Sequence, residues 1–278
     1  MKKIFYKILM AAALLSLVTV SCLKSFDPSS YAPPLNIGGY TSVKQIATSN
    51  LVGYWAFNGS LIDSVSNTTG TAVGTTFTTG FEKQGLQGAL NSYVLATPSA
   101  AIKGLQSFTS TLWINTPPPS NGIIGFLTLA NTADFWGNIE MFFENTSSNT
   151  NGKVRIHITK GTSDYTYAID NVQNLFGNWV NIGFSYDAAT SKCNLYVNGS
   201  SVSSGTISGL TGPLNFTSVG QLVFGCVQFQ TNPSQTTATG SQPWASYLTG
   251  QLDEVRIYNK ALAASDISAI VALSAKGK

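Results

Sequence analysis

Histidine occurs once, at position 157, and cysteine three times, at 22, 193 and 226. Cys193, Cys226 and His157 cannot supply the four ligands of a structural zinc site. No serine or cysteine nucleophile motif surrounds His157, so no catalytic triad is legible and the residue is expected on the polar face of a strand. Charged side chains make up only 10% of the chain. The first 22 residues hold three of the 15 Lys and Arg and none of the 12 Asp and Glu, so the remainder is neutral. A neutral chain lacks the cationic surface that neutralises phosphates, which argues against nucleic acid as a partner. A fixed-period repeat and a second domain boundary are also missing.

At the N-terminus, Lys2, Lys3 and Lys7 precede an apolar run of about 13 residues (8–20), then Ser21 and Cys22. A spanning helix needs roughly 20 apolar residues. A basic start, a short apolar stretch and a small residue are instead the layout of a secretory signal that is removed. The sequence Leu17-Val18-Thr19-Val20-Ser21-Cys22 resembles the bacterial lipobox, with Thr19 where leucine is usual. The resemblance implies lipidation of Cys22, contact with the membrane through that lipid, and an outer membrane lipoprotein on the cell surface or periplasmic face. Residues 23–45, with Pro28, Pro33, Pro34, Gly38 and Gly39, are expected to form a flexible tether. Residues 46–278 then make one domain.

That domain is rich in Thr, Ser, Asn and Gly, with short bursts of Val, Ile, Phe, Tyr and Trp, a composition suited to strands. Strand-like runs cover 51–57, 93–96, 108–115, 123–130, 139–145, 153–160, 165–170, 179–187, 192–198, 221–229 and 251–259. Many short strands with turn punctuation and no helices between them predict an all-β, two-sheet antiparallel sandwich or jelly roll. Val154, Ile156 and Ile158 alternate with Arg155, His157 and Thr159, so one face is core and the other looks outward. Asn198-Gly199 supplies the positive φ angles of a tight hairpin. Only the tail is helical in pattern, with Ser265 as N-cap and Ile267, Ile270 and Val271 on one face. Cys193 and Cys226 are either bridged, which an exported compartment permits, or two buried thiols.

The stretch from Leu51-Val52-Gly53-Tyr54-Trp55 through Asn58-Gly59 to Asp63-Ser64 is similar to the opening of laminin-G-like, concanavalin A-like domains. Further similarity lies at 108–114, 179–187, Tyr196-Val197-Asn198-Gly199 and Gly250-Gln251-Leu252-Asp253-Glu254-Val255-Arg256-Ile257-Tyr258-Asn259-Lys260-Ala261-Leu262. The resemblance implies two curved antiparallel sheets and a binding role toward glycan, protein or calcium.

Trp55, Trp113 and Trp179 lie in strand runs and are expected in the core. Trp136 and Trp244 lie in polar, turn-like stretches. The second of these, 230–250, is a long loop of the kind that is usually functional or disordered. Aromatic faces and amides suit an uncharged sugar, so Trp244, Tyr247, Gln242 and Gln228, beside Trp136, Asp134 and Asn138, form the candidate glycan site. A surface protein is the alternative partner of the same loops. For calcium, Asn58, Asp63 and Asp253 offer hard oxygens at positions where related domains carry a metal, with six to eight required. Glu140 and Glu144 share a strand face and resemble the acid pair of laminarinase-like hydrolases, but Phe142 replaces the aspartate between them. The leading expectation is a non-catalytic, membrane-anchored, lectin-like lipoprotein.

Replacing Cys22 with serine is expected to move the protein from the membrane fraction to the soluble fraction of expressing cells, read by fractionation and blotting.

Overall fold

The computed structural model describes residues 35–278, of which Ile37–Lys278 form one compact unit. The signal, Cys22 and residues 23–34 of the expected tether lie outside the described residues. The tether ends sooner than its composition suggests. Val43 and Ile46 are buried, the Val43 N–H donates to the Lys278 carbonyl at 3.0 Å, and the Tyr40 hydroxyl donates to Asp266 at 3.0 Å. Two apolar side chains and a few hydrogen bonds are enough to draw this segment onto the domain.

The strands, in chain order, are β1 (Leu51–Trp55), β2 (Thr71–Val73), β3 (Thr76–Thr79), β4 (Gln84–Gln87), β5 (Tyr93–Ala96), β6 (Phe108–Asn115), β7 (Ile123–Asn131) and β8 (Ile139–Phe143). They continue as β9 (Gly152–Lys160), β10 (Ser163–Val172), β11 (Val180–Asp187), β12 (Lys192–Val197), β13 (Ser200–Thr206), β14 (Val219–Phe224), β15 (Ala245–Ser246) and β16 (Gln251–Tyr258). A first sheet runs β13-β12-β11-β6-β16-β4-β3, with β1 also on β16; a second runs β10-β9-β8-β7-β14-β5-β2, with β15 on β7. Pairing is antiparallel except for the two residues of β15, which lie parallel to β7. This is the expected two-sheet sandwich.

Period-two alternation sorts the side chains. Ile139, Met141 and Phe143 of β8 face Ile158, Ile156 and Val154 of β9 on the inner side, in register, and all six belong to the core. Glu140 and Phe142, with His157 and Arg155 opposite them, take the outer side. Trp55 is fully buried, its ring 5.1 Å from that of Phe224. Trp113 is buried as expected, whereas Trp179 is only half-buried. Trp113 is buried outside the core cluster, stacked on Phe81 at 3.4 Å, and the half-buried Trp179 meets Phe81 edge-on at 6.2 Å. A sandwich whose outer face is covered by a loop gives aromatic rings a second place to leave water.

Asn198 and Gly199 adopt φ of 49° and 79° and close the β12–β13 hairpin as expected. The tail forms α2 (Ala264–Ser274), which buries Ile267, Ile270 and Leu273. Its N-cap is Ala263, and the expected cap Ser265 lies in the first turn. A four-residue helix, α1 (Ala100–Lys103), was not legible in the sequence. Nor were β2, β3 and β13, whose residues are mostly exposed, or the short β4 and β15. Cys193 and Cys226 are free thiols. The first is in the core, while the second sits in a separate cluster with Tyr93 and Val223. Among the described residues no helix is long and apolar enough to cross a membrane.

Three buried carboxylates fasten loops to this frame. Asp63 accepts the N–H groups of Tyr54 (2.8 Å), Val65 (3.0 Å) and Ser66 (3.3 Å) and the Ser66 hydroxyl. Asp253 accepts the N–H groups of Glu82 and Glu254, each at 2.8 Å. It does so at a bulge in β16, where Glu254 turns left-handed with φ 53°. Glu140 accepts the N–H groups of Gln228 (2.7 Å) and Gly137 (2.9 Å) and the Thr128 hydroxyl (3.2 Å). Burial pushes both Glu140 and Asp253 up to about 7, with the hydrogen bonds opposing the shift.

A carboxyl that holds its proton more tightly folded than unfolded contributes stability at low pH and loses it as pH rises toward its folded value. Urea titrations are therefore expected to give higher stability near pH 5 than near pH 8. Glu140→Gln should flatten that decline by up to about 1.4 kcal/mol per pH unit. It should also lower stability overall, because one of its amide N–H groups would oppose a main-chain donor.

Candidate functional site

The outer side of the second sheet carries the densest group of aromatic side chains outside the core. It is assembled from three places: the β7–β8 loop, the outward positions of β8 and β9, and the segment after β14. Asn131, at the end of β7, turns the chain by accepting the N–H groups of Ala133 and Asp134 through its side-chain oxygen. Its amide nitrogen donates to Asp134 Oδ2 at 2.8 Å. Glu140 then ties Gly137 of this loop to Gln228 of the later segment. Gln228 completes the joint by donating to the carbonyls of Asp134 (2.8 Å) and Phe135 (3.0 Å) and accepting the Asn131 N–H (2.7 Å).

This bracing presents a ledge of rings. Trp136 lies flat on His157, 4.0 Å between centroids at 14°, and parallel to Phe142 at 5.3 Å. Phe135 packs on Phe229 at 4.9 Å and stacks beside Trp244 at 6.2 Å. Trp136 and Trp244 are themselves 6.2 Å apart. The two tryptophans singled out in the sequence, more than a hundred residues apart, thus share one surface. Trp244 is 43% exposed, the most exposed of the five tryptophans.

The remaining expected site residues divide. Asp134 and Gln242 are half-buried and border the ledge's loops. Gln242 is pinned, its N–H donating to Gln230 Oε1 at 2.7 Å and its side-chain nitrogen to Thr239 Oγ1 at 2.8 Å. Tyr247 donates its hydroxyl to the Gln230 carbonyl at 2.7 Å and packs against the cluster of Tyr93, Val223 and Cys226, away from the ledge. Asn138 and Gln228 are fully buried and cannot touch a ligand. Asn138 donates to the Ala130 carbonyl at 2.9 Å. Both amides lie beneath the ledge and serve as its supports. Phe135, Phe229 and His157 were not expected in it; the adjacent aromatic pair Phe135-Trp136 in a polar stretch was the available signal.

Charged groups also border this ledge along the outer side of β9 and on β10. Arg155 makes a two-pronged pair with Glu144 (2.8 and 3.1 Å) and a further contact with Asp170 at 2.8 Å. His157 Nδ1 meets Asp164 at 2.9 Å. The Glu140–Glu144 pair is therefore not poised for glycoside cleavage. Glu140 is buried with both oxygens occupied, and Glu144 is held by Arg155, whereas a retaining pair needs two carboxyls facing a substrate about 5–5.5 Å apart.

The calcium expectation fails a similar fit test. Asp63 and Asp253 are fully buried, and their oxygens face main-chain N–H groups. The Asn58 side-chain oxygen accepts the Gln84 N–H at 3.0 Å. Among the described residues no three His, Cys, Asp or Glu side chains come together as a metal cage. The N–H groups pointing at these oxygens take the lone pairs a cation would need, so the three residues act as turn anchors.

No curated protein matches the chain by sequence. Among solved structures, domain 4 of an extracellular GH43 arabinanase from Geobacillus stearothermophilus, in complex with arabinotriose, is similar with a TM-score of 0.56 at 18% identity, covering 80% of this chain and 98% of that one. The binding domain of Paraclostridial Mosquitocidal Protein 1 gives 0.58 at 16%, covering 81% and 52%. The binding domain of botulinum neurotoxin DC in complex with rat synaptotagmin II gives 0.57 at 14%, covering 82% and 52%. The chain thus spans about half the length of the two toxin domains, and identities this low speak for the fold alone. The family profile, described as the concanavalin A-like lectin/glucanases superfamily, matches residues 87–268. With that match over more than half its length, the chain belongs to the laminin-G-like group of the concanavalin A-like lectin/glucanase superfamily.

Proposed function

We propose that this protein is a non-catalytic carbohydrate-binding module that captures an uncharged glycan on the Trp244–Trp136 ledge. The observation that carries this reading is the exposed Trp244 ring, held beside Phe135 and Trp136 by a loop in which Gln230 and Gln242 are bonded to one another. Sugar rings present apolar C–H faces that stack on such rings, and their hydroxyls match the amide and carboxylate groups of Gln242 and Asp134 at the margin. A surface already rigid loses little entropy on binding. The arabinanase domain solved with arabinotriose supports a sugar ligand for this architecture. The lipid on Cys22 would hold the module at the outer membrane and keep captured glycan at the cell.

A second reading is a protein-binding adhesion module. It draws on the neurotoxin domain solved with synaptotagmin II and on the exposed outer strand β13, an edge open to strand addition.

Affinity gels cast with neutral polysaccharides test the first reading. Trp244→Ala is expected to remain folded with a melting temperature only a few degrees lower, since the ring is partly exposed, and to lose about tenfold in affinity, consistent with stacking plus lost buried area. Equal retardation of wild type and variant would remove the ledge from the binding site.

A further inference from the structure

Behind the ledge, the 228–247 segment walls a second depression. From Gly225 (φ 100°) the chain passes Cys226, which bridges to Tyr247, and enters a short 3-10 turn at Gln228–Gln230. Gln230 is the hub of the segment. Its side chain donates to the Ala245 carbonyl at 2.8 Å and accepts the Gln242 N–H, and its carbonyl accepts the Tyr247 hydroxyl. Across the gap, the Tyr93 hydroxyl donates to the Asn232 carbonyl at 3.0 Å and accepts the Asn232 N–H at 2.9 Å. Two tyrosine hydroxyls therefore hold the walls apart without any ligand, and the recess between them measures about 510 Å³. That volume is in the range of small-molecule pockets, roughly 300–1,000 Å³.

Its lining is distinctive in charge. None of the side chains around it, among them Asn91, Tyr93, Gln230, Asn232, Ser241 and Tyr247, is ionised at neutral pH. Three other surface recesses of the domain contain charge. One of about 500 Å³ over Tyr54 holds Glu82, Glu254 and Arg256; another, beside Asn145, holds Lys153; a third, beside Val172, holds Asp170. Among the described residues the side-chain amides of Asn91 and Asn232 and the Ser241 hydroxyl have no hydrogen-bond partner, so the recess offers free donors and acceptors beside the Tyr247 ring. Ser241 on its wall and Trp244 on the ledge are three residues apart, at most about 11 Å along the chain. One short segment thus separates the two surfaces.

We infer that the recess between Tyr93 and Tyr247 is a second sugar subsite, taking one neutral unit of the same oligosaccharide that stacks on Trp244. The inference rests on the glycan reading of the ledge and adds a ligand class to it: uncharged sugars are accepted, and uronic or sialic acids are refused. A carboxylate brought into this recess would lose water with no cation to meet it, which is costly. A neutral ring would exchange water for the free amides and the hydroxyl.

The test is isothermal titration of the full-length protein with arabinose, arabinotriose, laminaritriose, cellotriose and trigalacturonate. Gly240 lies on the rim with no atom within 4 Å of an added Cβ, so Gly240→Leu fills the entrance without disturbing the fold. Asn232→Ala removes a free amide as a second probe. At least one neutral trimer is expected to bind wild type about tenfold more tightly than its monosaccharide, and trigalacturonate not at all. Gly240→Leu and Asn232→Ala should erase the gain from chain length and leave monosaccharide binding unchanged, whereas Trp244→Ala should weaken every length. Trimer binding untouched by Gly240→Leu and Asn232→Ala but lost in Trp244→Ala overturns the subsite and keeps the ledge. Binding of trigalacturonate at parity overturns the neutral class. A wild type that binds none of the neutral trimers overturns both readings.

Discussion

Main-chain N–H groups that leave a sheet in a buried place must find an acceptor, and in this chain the acceptor is repeatedly a buried side-chain oxygen. Asp63 takes up the turn after β1, Asp253 fastens the β3–β4 turn to the bulge of β16, and Glu140 joins the β7–β8 loop to the segment after β14. The amides Asn131, Asn138, Gln228 and Gln230 repeat the pattern at shorter range. With only 12 acidic residues in the chain, committing three of them to buried loop anchoring is a large share. The sandwich core would form from its alternating apolar residues in any case; the long loops would have no fixed place on it without these acceptors.

This commitment shapes what the surface can do. Carboxylates that satisfy buried donors are unavailable as metal ligands, nucleophiles or general acids, and Arg155 occupies Glu144 as well. What remains on the loop-covered side of the second sheet is aromatic and amide chemistry: Trp136 and Trp244 on one side of the 228–247 segment, Tyr93 and Tyr247 on the other. Both pairs are held by hydrogen bonds made within the protein, so the rings stand in place before anything binds. Under the proposed glycan reading, such a surface suits ligands that are neutral, flat-faced and rich in hydroxyl groups.

Much of the architecture was legible from period-two patterning. Val154, Ile156 and Ile158 announced a half-buried strand, Asn198-Gly199 its neighbouring type of hairpin, and the Asp253-to-Tyr258 stretch the closing strand of the family. Of the strands without a sequence signal, Thr71–Val73, Thr76–Thr79 and Ser200–Thr206 are mostly exposed, while Gln84–Gln87 and Ala245–Ser246 are too short to show a period; a partner's open edge makes them strands, and that edge is not written in their own residues. Trp113 is buried as its strand position predicts, but its stacking partner Phe81 belongs to a loop that Asp253, far along the chain, holds through the neighbouring Glu82 N–H. Of the candidate site, Trp136, Trp244, Asp134 and Gln242 were found because aromatic or amide residues in a polar loop stand out. Asn138 and Gln228 were found for the same reason and turned out to brace the site, since a polar side chain looks identical in sequence whether it faces water or a buried N–H.

The sequence by itself determined the fold class, the inward face of the 153–160 strand and the neutrality of everything after Cys22, because these depend on residue type and spacing along a few neighbouring positions. The tertiary structure alone decided which polar groups were consumed and which stayed free. Glu140, Asp63 and Asp253 became internal acceptors, while Trp244 was left at the surface. The reason is that hydrogen-bond satisfaction in this fold is settled between residues as distant as Glu140 and Gln228, whose meeting no local pattern encodes.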